Sequence, residues 1–443
     1  MFNEKFIKPS DDQMIIAKNV YFDTDTHKTL RNNNVAIVGA SGSGKTSSII
    51  APNILQANSN YIVTDPKGKL YQKYKKYLER KGYDVCLLDF IDTYKSTVKY
   101  NIFKYIRTEQ DMIRMARDLC VLNGAIMSTD RFWEDSATIL MTAIIALIIE
   151  SAPSDEHNLG TIFECLQAAS ISEPDCGNKS ALDLTFEKHM KDYPNNFSSR
   201  QYQKFIVNPD KTRNCIVGSA LSTFGAFDTQ PIRKLTSDDT LKLDDFYNKK
   251  KAIFVNISDT DRSMDPLINM FFGCTMNYLC KFADEGTVNG FEYPIQIIMD
   301  DFATNVVIND FDRMISSIRS RNISVMIALQ SNAQLESFYG DKGQTILGNC
   351  DTYVYLGGND LCTANEVSIR SGAPFEAVLS LPVGNAWIFR RGERPQKAEI
   401  FPGRNFEKEK LYNKRKGNKQ RILSFENHSK NIHKYNYIPI GEK

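Results

Sequence analysis

No Cys-x-x-Cys pair and no histidine at zinc-finger spacing accompany the nine cysteines of this 443-residue chain. That argues against a structural zinc module. Cys86, Cys215, Cys274 and Cys350 sit in apolar or strand-like runs and read as buried free thiols of a reducing compartment. An excess of one charge is also lacking. Lys and Arg total 55 against 53 Asp and Glu, for a net charge of +2, so no overall field draws the chain to polyanions and any such contact needs a local patch. The opening stretch Met-Phe-Asn-Glu-Lys-Phe carries no apolar signal-peptide core. The longest apolar run, Ala137 to Ile149, falls short of the roughly 20 residues that cross a bilayer and reads as a buried core helix. The expectation is a soluble, cytoplasmic protein. No internal repeat is visible.

What is present is an ordinary globular balance, 42% hydrophobic and 24% charged, in a chain long enough for two or three domains. Strand-like runs cluster at the two ends. Asn34–Val38, Tyr61–Asp65 and Val85–Asp89 come first, with a polar helix from Leu70 to Lys81 between the last two. Ala252–Ile257, Ile295–Met299, Ser324–Leu329, Thr352–Leu356 and Trp387–Phe389 come later, Trp387–Phe389 reading as the last strand. Continuous apolar runs of this kind suit parallel strands buried on both faces. Between the groups, helical periodicity dominates over Asp111–Leu122, Phe132–Ile149, Leu159–Ala169, Ala181–Tyr193 and Cys215–Phe227. The expected fold is α/β with a parallel central sheet and an inserted all-α domain. The boundaries fall at 1–106 and 246–403 for the two parts of the sheet domain, 107–245 for the insertion, and 404–443 for a mobile basic tail containing Lys414, Arg415, Lys416 and Lys419.

The first strand runs into Gly39-Ala40-Ser41-Gly42-Ser43-Gly44-Lys45-Thr46, a full match to G-x-x-x-x-G-K-[ST]. Gly39, Gly42 and Gly44, with Ser41 and Ser43, let backbone N–H groups curl round phosphates, and the helix starting near Lys45 aims its positive end at them. Lys45 supplies a charge to the β- and γ-phosphates, and the Thr46 hydroxyl is a Mg²⁺ ligand. The apolar strand Ile295–Met299 ends in Asp300, the pattern of a carboxylate that holds the Mg²⁺ shell. Asp301 then stands where a carboxylate could polarise the attacking water, or could cap a helix. Arg319 and Arg321 follow a helix that starts near Asp310. One of them could reach a neighbouring subunit's γ-phosphate, or both could be a solvated helix end. Gln330 closes the next strand, as a γ-phosphate contact or an ordinary loop amide. The sheet domain is thus a nucleotide-binding domain using ATP and Mg²⁺. No LSGGQ-like or N-K-x-D segment points to ABC cassettes or GTPases.

The helix with Lys67, Lys69, Lys73, Lys75, Lys76, Arg80 and Lys81 interleaves Tyr71, Tyr74 and Tyr77. It reads either as a single-stranded nucleic-acid platform or as a solvated face over packed tyrosines.

These residues in order resemble the coupling ATPases of conjugation and type IV secretion, the TraG/TraD family, related to the FtsK/HerA group of DNA pumps. The resemblance covers roughly residues 30–400. It rests on Ala51-Pro52-Asn53, Thr64-Asp65-Pro66-Lys67-Gly68, Tyr100-Asn101-Ile102-Phe103 and Arg131-Phe132-Trp133, and above all on Asp300-Asp301-Phe302-Ala303, Asp310-Phe311-Asp312, Arg319-Ser320-Arg321, Leu329-Gln330-Ser331, Gly348-Asn349-Cys350-Asp351 and Leu356-Gly357-Gly358-Asn359-Asp360. It implies a RecA-like P-loop NTPase that forms homo-hexamers with ATP at subunit interfaces. Such a motor takes relaxase-bound single-stranded DNA or protein substrates to a secretion channel at the inner face of the membrane. It also implies Arg319 as the trans-acting arginine and Gln330 as the nucleotide-sensing glutamine. The chain departs from the family in three places. The usual membrane-spanning N-terminal helices are not seen, which leaves two readings: a truncated chain, or a natural soluble form recruited by a separate membrane anchor protein. Asp301 replaces a glutamate, and Lys69 an acidic residue. A shortened Asp301 leaves open a non-hydrolysing, ATP-binding receptor for the same substrates. A chromosome or phage DNA-packaging pump would share the core but not these segments.

Overall fold

The computed structural model describes residues 6–120, 132–170, 179–225, 228–286, 291, 293–302 and 306–412. Eleven strands form two sheets among these residues. A short antiparallel hairpin, β1 (Gln13–Ala17) and β2 (Val20–Asp23), was not expected from the sequence. The main sheet contains β3 (Val35–Val38), β4 (Asn60–Thr64), β5 (Asp84–Asp89), β6 (Lys251–Asn256), β7 (Ile295–Met299), β8 (Ile323–Leu329), β9 (Thr352–Tyr355), β10 (Asn385–Arg390) and β11 (Gln396–Glu399). Their spatial order is β11-β10-β9-β3-β8-β7-β4-β6-β5. From β9 to β5 every pairing is parallel, while β10 and β11 are antiparallel additions at one edge. Trp387–Phe389 is therefore not the last strand. β11 follows it, with an alternating, half-exposed pattern that suits an edge.

The central runs are apolar throughout because both sheet faces are covered. All seven residues of β8 are buried. Val325, Ile327 and Leu329 pack into one core, and Met326 and Ala328 into the other, as the two-residue side-chain period requires. The core on the Val325 face continues into helices that lie between β5 and β6 in sequence: Glu109–Cys120, Phe132–Ser151, Leu159–Ala168, Ala181–Asp192, Phe197–Ile206, Asp210–Gly225 and Gln230–Thr236. Asn158 caps one of them by accepting from the Thr161 N–H, and Ser180 with Asp183 forms a capping box on another.

Phe197–Ile206 and Gln230–Thr236 were not expected as helices. The first is rich in Ser and Gln but docks Tyr202 flat on Phe186, ring centroids 3.7 Å apart. Phe132–Ser151 is a 20-residue helix, longer than the apolar run inside it and apolar enough to cross a membrane by length and composition. Its most apolar window is 61% buried, against neighbours that include the Glu109–Cys120 and Phe197–Ile206 helices.

The expected mobile tail is corrected at its start. Gly403–Tyr412 is a helix that buries Phe406 and packs on the helix after the glycine loop. The basic cluster at Lys414–Lys419 lies outside the described residues, as do Arg131 and Ala303. Cys215 is exposed rather than buried, while Cys86 and Cys350 are buried as expected.

Candidate nucleotide site

The glycine loop links the end of β3 to a helix that begins at Lys45. The first turns, Lys45–Ile50, are wide, and the Ala51 N–H bonds back five residues to the Thr46 carbonyl. Ordinary α-helix follows over Ala51–Gln56, and Pro52, which has no N–H to donate, sits just past the junction with the wide turns. Gly42 and Gly44 have φ of 78° and 100°, a region side chains other than glycine's rarely enter. The loop is tied to the sheet by Gly39 N–H to the Leu329 carbonyl (3.1 Å) and Ala40 N–H to the Gly357 carbonyl (2.9 Å). Lys45 is buried, and its ammonium donates to the carbonyls of Gly39 (2.6 Å) and Ala40 (3.2 Å). The charge therefore sits inside the curl of the loop. Ser43 Oγ is buried with no hydrogen-bond partner, while Ser41 is exposed.

Thr46 and Asp300 are 254 residues apart in sequence, yet the Thr46 hydroxyl donates to Asp300 Oδ2 at 2.5 Å. Thr64 at the end of β4 holds the other side. Its hydroxyl accepts from the Asp300 N–H (2.7 Å) and donates to the Asp300 carbonyl (3.1 Å). The sequence offered Thr64 only as part of a strand-end motif. Burial pushes the Asp300 carboxyl above its ordinary range. The Thr46 hydrogen bond and the Lys45 charge pull it back, and the neighbouring Asp301 charge adds to the rise. Burial likewise lowers the Lys45 pKa against the opposing pull of Asp301 and Asp300. A hydroxyl and a carboxylate at this separation are hard oxygen donors of the type Mg²⁺ takes. Asp301 follows with φ of 54°, a left-handed conformation that aspartate tolerates better than most residues. It does not cap the next helix, which runs from Phe311 to Ser317.

Gln330 stands exposed at the end of β8, the same end of the sheet as the glycine loop, because β3 and β8 are parallel. Arg319 lies at the other end. It precedes β8, whose seven residues span about 23 Å. Its guanidinium donates to the Thr26 carbonyl at 3.0 Å. Arg321 is committed to Asp284 through two hydrogen bonds of 2.8 and 2.7 Å. The structure thus brings Lys45, Thr46, Asp300 and Asp301 together with Gln330 on the same rim, and leaves Arg319 away from its own chain's loop.

The basic helix, Lys69–Arg80, follows the solvated-face reading. Tyr74 and Tyr77 are buried beneath it, with the Tyr77 hydroxyl on the Leu55 carbonyl (2.7 Å) and the Tyr74 hydroxyl on Glu407 (3.3 Å). Lys73 pairs with Glu407 at 2.7 Å. Rings held this way offer no face for stacking. Missed altogether was the segment Ile400–Asn405, which lies beside Gly42, Gly44 and Ser47. Nothing in its sequence announced that position.

A glycine loop between parallel strand and helix, with a strand-end carboxylate on its hydroxyl, defines a RecA-like P-loop NTPase. The solved structure of the bacterial conjugative coupling protein TrwB with sulphate has the same fold: TM-score 0.66 at 15% identity, covering 89% of this chain and 90% of that one. The TrwB complex with ADP and Mg²⁺ matches with a TM-score of 0.65 at 15% identity, over 89% of each chain. The conjugal transfer protein TraG of Rhizobium radiobacter is 22% identical over 346 residues, 76% of this chain and 52% of that protein. The chain spans about half the length of the curated relatives it matches. The sequence profile of the type IV secretory system conjugative DNA transfer family matches residues 1–374, and the chain belongs to that family.

Proposed function

We propose that this protein is an ATP-hydrolysing coupling motor that recruits relaxase-bound single-stranded DNA, or protein substrates, and delivers them to a type IV secretion channel. The observation that carries the reading is the 2.5 Å contact between the Thr46 hydroxyl and Asp300 beside the buried Lys45, in a chain of the conjugative DNA transfer family. TrwB, of like fold, is described in complex with ADP and Mg²⁺, which supports the same ligands here. The loop from Gly39 to Gly44, with Ser41 and Ser43, wraps the phosphates with backbone N–H groups. Lys45 neutralises charge at the β- and γ-phosphates. Thr46 and Asp300 hold Mg²⁺, which when bound offsets charge building on the phosphate oxygens. Asp301 orients and deprotonates the attacking water, and Gln330 reports the γ-phosphate across the same rim.

Arg319 lies at the opposite rim, so it serves the site of a neighbouring copy. That arrangement supports a homo-hexamer with shared sites. We assign nucleotide chemistry to residues 1–106 and 246–403 and substrate contact to the helical stretch 107–245. The motor works on the cytoplasmic face of the membrane. A DNA-stimulated ATPase assay tests the reading. Lys45→Ala is expected to abolish stimulated turnover, and equal rates for variant and wild type would remove the motor claim.

One observation favours a second reading. Asp301 is one methylene shorter than the glutamate usual in the family, which fits a receptor that binds ATP without hydrolysing it. Nucleotide binding without turnover, unrestored by Asp301→Glu, would support the receptor.

A further inference from the structure

Beside the glycine loop the surface opens into a cleft of about 720 Å³, walled on one side by Gly42, Gly44 and Ser47 and on the other by residues 383–385 and 399–405. Three observations bear on what it holds. The first is position. The cleft borders Gly42, Ser43, Gly44, Ser47 and Ser48, so a ligand whose phosphates sit in the loop has this space open beside it. The second is rigidity. A Cβ on Gly403 would lie 1.8 Å from the Ser47 carbonyl oxygen and 3.1 Å from the Pro52 ring. Only glycine lets the far wall press on the phosphate-loop helix this closely, and the two walls keep a fixed separation. The third is chemistry. Val383, an apolar side chain, is 93% exposed at this cleft. Arg404 borders the same cleft and is exposed, and among the described residues no carboxylate pairs with its guanidinium. Several other cations near this segment are paired: Lys410 with Asp11 at 2.8 Å, Lys73 with Glu407 at 2.7 Å and Lys18 with Glu399 at 2.5 Å.

An apolar contact and a free guanidinium are what the flat face of a nucleobase takes, the first by burial and the second by stacking. We propose that this cleft is the nucleoside subsite, with the base lodged between Val383 and Arg404 and the phosphates continuing into the glycine loop. The inference rests on the reading of the phosphate site above and adds the part of the chain, beyond the sheet's parallel core, that recognises the rest of the nucleotide. The segment 399–405 thereby becomes part of the nucleotide site rather than the root of a tail.

The test uses the full chain with two probes, 8-azido-ATP for photolabelling and inorganic tripolyphosphate as a ligand without a nucleoside. Photolabel that ATP competes away is expected on peptides containing residues 383–385 or 399–405. Arg404→Ala is expected to weaken ATP about tenfold. The same variant should change tripolyphosphate affinity by less than about twofold, since an exposed distant charge is screened. Because Arg404 is exposed, its removal leaves the fold intact. Competed label on other peptides, or equal weakening of both ligands, overturns the inference while leaving the phosphate site standing. Failure of wild type to bind tripolyphosphate overturns both.

Discussion

Asp300 illustrates how a single residue trades stability for chemistry. Its carboxyl is buried and held above its ordinary range chiefly by desolvation. A raised carboxyl stabilises the fold below its unfolded pKa, and that contribution is lost as pH rises through the folded value. The ionised form is therefore a cost to the fold, and the proposed Mg²⁺ role would require it. Asp300→Asn keeps an oxygen for the Thr46 hydroxyl and removes the charge. In thermal denaturation without nucleotide at pH 7, the variant should melt at or above the wild-type temperature, while Mg²⁺-dependent nucleotide binding falls at least tenfold. A lower melting temperature would show that the charge stabilises the resting site. Asp301 is expected to respond the other way. Asp301→Glu extends the carboxylate toward the water and should raise turnover several-fold in the ATPase assay. The residues of the glycine loop were legible in the sequence because their chemistry is spelled by neighbours. Thr64 was not, since its grip on Asp300 depends on β4 and β7 lying side by side.

At the scale of elements, the contact between the Glu109–Cys120 helix and the Asp265–Glu285 helix carries a second buried carboxyl. Asp118 accepts from Asn309 Nδ2 at 2.9 Å and lies 3.8 Å from the Cys274 sulfur. Gly273 lies beside it; a Cβ there would stand 3.5 Å from Asp118 Oδ2, an ordinary van der Waals contact. Burial raises this carboxyl from 3.8 to about 6, against the opposing pull of Asn309 and Arg114. Stability linked to Asp118 is full below pH 3.8 and is lost as pH rises through about 6. The shift corresponds to about 3 kcal/mol. Asp118→Asn should flatten the pH dependence of the denaturant midpoint between those limits, and an unchanged slope would place the titration elsewhere.

Long apolar elements such as β8 and Phe132–Ser151 could be read directly from the chain. Phe197–Ile206 could not, because Ser, Arg, Gln and Lys fill six of its ten positions and its helix is fixed by Tyr202 against Phe186. Gly403–Tyr412 likewise takes its place from tertiary partners. Phe406 is buried against Phe401, and Glu407 meets both Lys73 and Tyr74. Its local composition pointed the other way.

For the molecule as a whole, the two ends of the sheet carry different halves of the proposed chemistry. The glycine loop, Asp300 and Gln330 share one rim, and Arg319 occupies the other. If sites form between copies, two individually inactive chains should complement each other. Mixing Lys45→Ala with Arg319→Ala should restore part of the DNA-stimulated ATPase rate, because some interfaces receive an intact loop and an intact arginine. No recovery on mixing would count against shared sites. The sheet's wiring has a further consequence for biosynthesis. β3 is made early but pairs only with β8 and β9, roughly 300 residues later in the chain. At about 5–20 residues per second, the phosphate-binding strand emerges from the ribosome and waits about 15–60 s for both its neighbours. Nascent chains stalled before β8 should thus carry the complete glycine motif yet retain no ATP, and the newborn protein is most in need of chaperones during that interval.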